Sequence, residues 1–399
     1  MEYIAKNIPL WQVTTWDKKF NNVDRAWQPK TIKYNYLLSD ELDEIRTDDG
    51  DVRILYTGKD VGYTTESLAG DNLSEGEIVS IPWGGIPTVK YYKGKFVTGD
   101  NRIATSNDVS KLSNRYLYYF MKGHIHEIAS YYRGASLKHP CMKDVLKMEI
   151  SYPSIEIQNR ICDQFDVIES VIEQRSKELT LFDDFIKARF VEMFGEPRNS
   201  ESYSYVPFEE IVDYMGDIGS NGANKVVVEH LDMKDEEDYA LMVRFLNFTK
   251  NDFSEDVKYI SKESYDFFKK SQLHGGELII CKIGSAGLNY VMPYLNRPVS
   301  LGLNQIMVRI NEKALMPYLY QYLHTDYGEY LISGCINGAV TKSITKTELK
   351  KIPVMLPPID EQKGFVEFVK QVDKSKVAVQ KSLDETRKLF DSLMQEYFG

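Results

Sequence analysis

Three short segments concentrate cations beside aromatic or hydroxyl side chains, a mixture that can hold phosphates while polar groups probe base edges. Residues 86–102 carry Lys90, Lys93, Lys95 and Arg102 against Asp100, with Tyr91, Tyr92 and Phe96 interleaved. Residues 131–147 carry Arg133, Lys138, Lys143 and Lys147 against Asp144, among Tyr131, Tyr132 and Ser136. Residues 337–351 carry Lys342, Lys346, Lys350 and Lys351 against Glu348, among Asn337, Ser343 and several threonines. Each segment nets plus three in a chain whose formal charge is -10. The excess acid lies elsewhere, in Asp40–Glu44 and in 232–238, and reads as solvated faces turned from a polyanion. Glycine marks two more loops. Trp83-Gly84-Gly85 follows the apolar run Glu77–Ile81, and Gly284–Gly287, with Ser285 inside and Lys282 and Asn289 beside it, follows Glu277–Cys281. Small residues let a backbone approach a ligand closely.

Signatures of catalysis are missing. An adenine methyltransferase needs an Asn-Pro-Pro-Tyr or Asp-Pro-Pro-Tyr motif for the flipped base, and the Pro-Pro pair here is Pro357-Pro358, followed by Ile359. Glycine-rich nucleotide loops, a nucleophile elbow and a nuclease carboxylate cluster are equally unrecognisable. Cys141, Cys162, Cys281 and Cys335 form no C-x-x-C pair, so no metal site is expected and the thiols suit a reducing cytoplasm. No apolar run approaches 18 residues and no basic leader precedes one, so neither a membrane span nor a secretory signal is expected. With 43% hydrophobic and 27% charged residues over 399 positions, the chain has the composition of a globular protein of two or three domains. A non-catalytic, cytoplasmic DNA binder is expected. The alternatives are a DNA methyltransferase or nuclease with an unrecognised site, or a coiled-coil scaffold that does not bind DNA.

The elements that would position these loops occur twice. Tyr152–Gly195 and Leu356–Gly399 align without a gap at an offset of 204 residues, matching at Pro153/Pro357, Gln158/Gln362, Leu179/Leu383, Phe194/Phe398 and Gly195/Gly399. Upstream the echo is fainter, but Tyr116-Leu117-Tyr118 matches Tyr318-Leu319-Tyr320, and Gly134-Ala135 with Lys138 matches Gly338-Ala339 with Lys342. Heptad steps visit Ile161, Phe165, Ile168, Ile172, Arg175, Leu179, Phe182, Ile186, Arg189 and Met193 in the first copy. In the second they visit Phe365, Val369, Val372, Lys376, Val379, Leu383, Thr386, Phe390, Leu393 and Tyr397. That narrow apolar stripe is a coiled-coil seam. It predicts two helices, each about 50 Å long, that bury each other and run antiparallel, with Ile168 falling near Val372.

With Pro357-Pro358-Ile359-Asp360-Glu361-Gln362 and the more divergent Pro153-Ser154-Ile155-Glu156-Ile157-Gln158 opening two long helices that both end in Phe-Gly, the chain resembles the specificity subunit of type I restriction-modification enzymes. The resemblance covers the whole chain. It implies a mixed α/β (α+β) fold with pseudo-twofold symmetry, two target-recognition domains being separated by two antiparallel coiled-coil helices. The boundaries expected are 1–149 for the first recognition domain, 150–195 for the first spacer helix, 196–351 for the second domain and 352–399 for the second helix. It also implies double-stranded DNA as ligand, a bipartite asymmetric site, two methyltransferase subunits docked on the helices, restriction subunits as further partners, and S-adenosylmethionine bound by the partner and not by this chain. The DNA-binding candidates are Trp83, Gly84, Gly85, Lys90, Tyr91, Lys93, Arg102, Arg133, Ser136, Lys138, Lys282, Ser285, Asn289, Asn337, Lys342, Ser343 and Lys346. The helix-pair or partner candidates are the apolar seam residues from Ile161 to Phe182 and from Phe365 to Phe390.

Overall fold

The computed structural model describes residues 2–17, 31–58, 61–198 and 200–399. The chain folds into two compact units, one formed by 1–176 with 381–399 and the other by 177–380.

In the first unit, β1 (Ala5–Pro9), β2 (Thr14–Asp17), β3 (Thr31–Ile32), β4 (Val52–Leu55), β5 (Val61–Thr64), β6 (Ser74–Pro82), β7 (Lys90–Thr98) and β8 (Asn101–Ser106) precede helix α1 (Asn114–Gly123). A small hairpin, β9 (Tyr132–Arg133) with β10 (His139–Pro140), and β11 (Glu149–Tyr152) follow. Seven strands form one mixed sheet in the order β3-β2-β8-β6-β7-β4-β5. The β-branched and aromatic residues of β6 to β8 favour this pleated, half-buried surface. Their inner side chains, Val79, Ile81 and Ala104, join Trp16, Tyr116 and Leu117 in a fully buried core.

The second unit repeats the plan with different sheets. Here β13 (Val212–Gly216), β20 (Gln305–Ile310), β17 (Leu278–Cys281) and β18 (Asn289–Val291) form one four-stranded sheet. A second is built from β15 (Lys258–Ile260), β14 (Ala240–Val243), β19 (Val299–Leu301) and β16 (Gln272–Leu273). Helix α2 (Met316–Leu323), a hairpin of β21 (Ile336–Asn337) and β22 (Ser343–Ile344), and a closing strand β23 (Pro353–Met355) complete it. In each unit the first and last strands pair antiparallel, β1 with β11 and β12 (Tyr205–Pro207) with β23. That pairing delivers the chain directly to a long helix.

Both long helices, Ile155–Phe194 and Ile359–Phe398, have 40 residues, about 60 Å at 1.5 Å per residue. Each begins just after its proline motif, where a missing backbone N–H costs nothing. One glutamine latches each to its unit. Gln158, wholly buried, accepts from the Ser113 amide at 2.9 Å and donates to the carbonyls of Lys111 and Pro153. Gln362 repeats this with the Leu315 amide at 2.9 Å and the carbonyls of Lys313 and Pro357. A leucine has similar bulk but satisfies none of these groups. Gln362→Leu is therefore expected to lower the unfolding free energy of the second unit by about 3 kcal/mol, since a buried group left unpaired costs about 1–3 kcal/mol. Urea titration monitored in that unit would measure it.

Each unit takes the N-terminal half of one long helix and the C-terminal half of the other. In the first unit Phe165 packs on Phe390 at 5.3 Å, and Gln164 meets Tyr397. In the second, Phe190 packs on Phe365 at 5.5 Å, Phe185 on Phe368, and Lys376 pairs with Asp183 at 2.7 Å. As one helix number rises its partner's falls, so the segments within each unit are antiparallel. Every heptad position predicted above is buried or half-buried. The register differs from expectation. Ile168 lies beside Leu393 and Tyr397, while Val372 belongs to the core of the other unit with Phe182 and Ile186. The register follows the aromatic contacts at the helix ends, which a heptad pattern does not encode.

Candidate nucleic-acid interface

The glycine loop and the small hairpin converge in both units. In the first, the loop after β6 meets the β9–β10 hairpin. The Trp83 carbonyl lies 2.7 Å from Nδ1 of His139, the two rings are 5.0 Å apart, and Gly84 faces Leu137. In the second, the loop after β17 meets the β21–β22 hairpin. The Ile344 amide donates to the Lys282 carbonyl at 3.0 Å, and Ile283 bridges to Ser343. The hairpins themselves need glycine at one matched position. Gly134 and Gly338 have φ of 144° and 103°, and a Cβ there would stand 2.3 and 2.2 Å from the carbonyl oxygens of Leu137 and Thr341. Ser136, Leu137 and Lys138 on one hairpin and Val340, Thr341 and Lys342 on the other are all exposed.

Trp83, Gly84, Gly85, Arg133, Ser136 and Lys138 thus fall together, as do Lys282, Ser285, Asn337, Lys342, Ser343 and Lys346. Arg133 pairs with Asp144 at 2.8 Å, but its side chain is 72% exposed, and such surface pairs contribute about 0–1 kcal/mol. Lys282 and Lys346 converge on Asp217, a residue not singled out from sequence, at 2.8 and 3.0 Å, with Ser220 alongside. The signal available for it was the turn-forming run Gly216-Asp217-Ile218-Gly219-Ser220-Asn221-Gly222. Burial alone would raise the Asp217 carboxyl, yet hydrogen bonds from the two lysines hold it at about 2. With two cations to one anion, the cluster keeps a net positive charge beside the hairpin.

Depression of the Asp217 carboxyl below its unfolded value of about 4 stabilises the fold above that value. The contribution is lost as pH falls from about 4 to 2. Urea midpoints between pH 5 and 2.5 should fall more steeply for the unaltered chain than for Asp217→Asn.

Other candidates are placed elsewhere. Arg102 is 1% exposed, ion-paired with Asp17 at 3.1 Å and with Asp100, and its guanidinium lies 4.6 Å from the Trp83 ring centroid. It cannot reach a phosphate and instead supports the Trp83 loop from beneath. Asn289 is also buried, its amide turned back to the Gly287 carbonyl at 3.2 Å. Lys90, at the start of β7, is tied to the carbonyls of Tyr56 and Gly58, and Tyr91 and Lys93 further along that strand engage Glu77, so all three are held by contacts within the unit. Among the described residues no group of three or more histidine, cysteine or acidic side chains could hold a metal ion. No described helix is long and apolar enough to cross a membrane.

The family model for the type I restriction modification DNA specificity domain matches residues 35–181 and 215–386, most of the chain and both loop pairs. The chain belongs to that family. A type I specificity chain of Methanocaldococcus jannaschii, named as the MjaX specificity subunit, is 25% identical over 161 residues, 38% of this chain and 36% of that relative. The chain therefore matches about a third of that relative's length. The crystal structure of the type I restriction-modification S subunit from M. genitalium is similar in fold, with a TM-score of 0.56 over 99% of this chain and 96% of that one at 15% identity. Mixed α/β domains and long helices are thus features that this type I specificity chain shares with a solved member.

Proposed function

We propose that the chain is the DNA-reading subunit of a type I restriction-modification system, recognising a bipartite, asymmetric double-stranded site and positioning separate methyltransferase subunits. The observation that carries this reading is the duplicated loop pair, in which two hairpins present Lys138 and Lys342 at matched positions on frames of unlike sheets. Matched cations contact phosphate in the same way at each half-site, while the dissimilar neighbours, Trp83 and Arg133 in one unit and Ser285 and Asn337 in the other, read different bases. The negative net charge is no obstacle, because phosphate contact depends on local charge. One methyltransferase docks on the helix segments of each unit, restriction subunits join that assembly, and S-adenosylmethionine is bound by the methyltransferase. This chain itself catalyses nothing and acts in the cytoplasm.

Each phosphate contact contributes about 0.9 to the slope of log affinity against log salt. Lys138→Ala with Lys342→Ala should reduce that slope by about 2 and weaken all sequences alike, as read by fluorescence anisotropy over a salt series. An unchanged slope would remove these lysines from the interface. Methylation assays with and without a co-expressed methyltransferase separate this reading from an enzyme with its own site: activity of the chain alone would refute it.

A further inference from the structure

The two units treat one structural position in opposite ways. In the first, Tyr118, Tyr119 and Lys122 of α1 face Asp166 and Glu169 of the long helix. The Tyr119 hydroxyl donates to Asp166 at 2.5 Å and lies 3.1 Å from Glu169, Tyr118 donates to Glu169 at 3.3 Å, and Lys122 pairs with Glu169. The Tyr119 ring stacks on Phe165 at 4.9 Å. Every polar group in this network is satisfied.

The matched residues in the second unit are Tyr320 and Gln321 of α2 and His324 just after it, with Lys370 and Asp373 matching Asp166 and Glu169; Tyr320, Gln321, Lys370 and Asp373 line one cleft. Gln321 is 8% exposed, and its amide nitrogen has no hydrogen-bond partner. Asp373 stands where Glu169 does but accepts no hydrogen bond; burial raises its carboxyl, Lys376 lowers it and Asp183 raises it further. Beside Tyr320 and Gln321 a cleft of about 640 Å³ opens. Its walls include Phe248 stacked on Tyr290 at 5.8 Å, and Tyr320, while Tyr294 stands at its edge 80% exposed. The mouth carries no net positive charge: Lys376 pairs with Asp183 at 2.7 Å and Lys370 with Glu367 at 2.6 Å, which leaves Asp373 in excess.

We propose that this cleft is a docking pocket for a tyrosine side chain of the methyltransferase subunit, an assignment that rests on the docking described under Proposed function. A phenol ring fits between aromatic walls, and its hydroxyl can accept from the Gln321 amide, the buried donor left without a partner. A mouth without net positive charge does not attract a polyanion, which argues against nucleic acid. A buried amide donor beside the exposed Tyr294 suits a protein partner, since aromatic residues are enriched at protein interfaces. The lining includes Val369 and Lys370 of the long helix, continuous with the helix face assigned to the same partner.

The test uses the full chain with its purified methyltransferase. A benzophenone amino acid in place of Tyr294 should cross-link to a tyrosine-containing peptide of the methyltransferase. Tyr294→Ala and Gln321→Leu should each weaken that association at least tenfold, with DNA binding by the chain alone unchanged. Normal association of both variants, or cross-links only between copies of this chain or to DNA, would overturn the pocket and leave helix docking standing. Failure of the unaltered chain to bind methyltransferase would overturn both.

Discussion

Exchange of residues 1–149 for the matching segment of a relative that reads another DNA sequence is expected to replace one half of the methylated site and leave the other half unchanged. The loop pair of the first unit is formed by residues 83–85 and 133–139, and neither long helix contributes to it. Affinity for the original site should fall by about 10³-fold or more, the usual margin of specific over non-specific DNA binding. The donor segment must keep an aromatic residue at Tyr116 and a small one at Gly123, because both pack on Phe398, outside the exchange. Methylome sequencing of a strain carrying the hybrid and its partners would check the result. A change in both half-sites would refute two independent readers.

The second expected result is thermodynamic. Phe398→Ala should destabilise the first unit by about 4 kcal/mol, within the range for removing a buried phenylalanine. The ring is 8% exposed and contacts Tyr116 at 5.2 Å, Phe165 at 5.9 Å and Phe120 at 6.5 Å. Its repeat partner Phe194 makes the matching contact with Tyr318 at 5.1 Å, so Phe194→Ala should weaken the second unit instead. Amide hydrogen exchange would separate the two: the first variant should accelerate exchange in Asn114–Gly123, the second in Met316–Leu323. Equal acceleration in both segments for either variant would count against units that are stabilised separately.

The helices were legible because a heptad seam is a local signal, repeated over many turns and then repeated again 204 residues later. The loops were legible because glycine and lysine stand at matched positions before any contact is known. Arg102 was misplaced for a different reason. Its environment depends on Asp17, 85 residues away, and nothing in a basic, aromatic stretch reveals that one of its cations is neutralised from the neighbouring strand. Asp217 was invisible in the same way, since its two lysines lie 65 and 129 residues downstream. The helix register was lost because a seam of interchangeable apolar residues accepts several alignments, and the aromatic contacts between the helix ends that select one are pairings that the seam does not specify. Even the difference between one seven-stranded sheet and two four-stranded sheets left only drifting offsets between the repeats.

The division of the chain into units also sets an order of events during synthesis. The second unit is a single stretch, 177–380, whereas the first needs 381–399 to cover Tyr116 and Phe165. A growing chain therefore presents its first recognition domain to the cell with part of its core uncovered while more than half of the protein is still to be made. The half that is translated later can close earlier. Residues 381–399 then complete the part of the molecule that was made first, which makes synthesis through Phe398 a condition for a finished first unit.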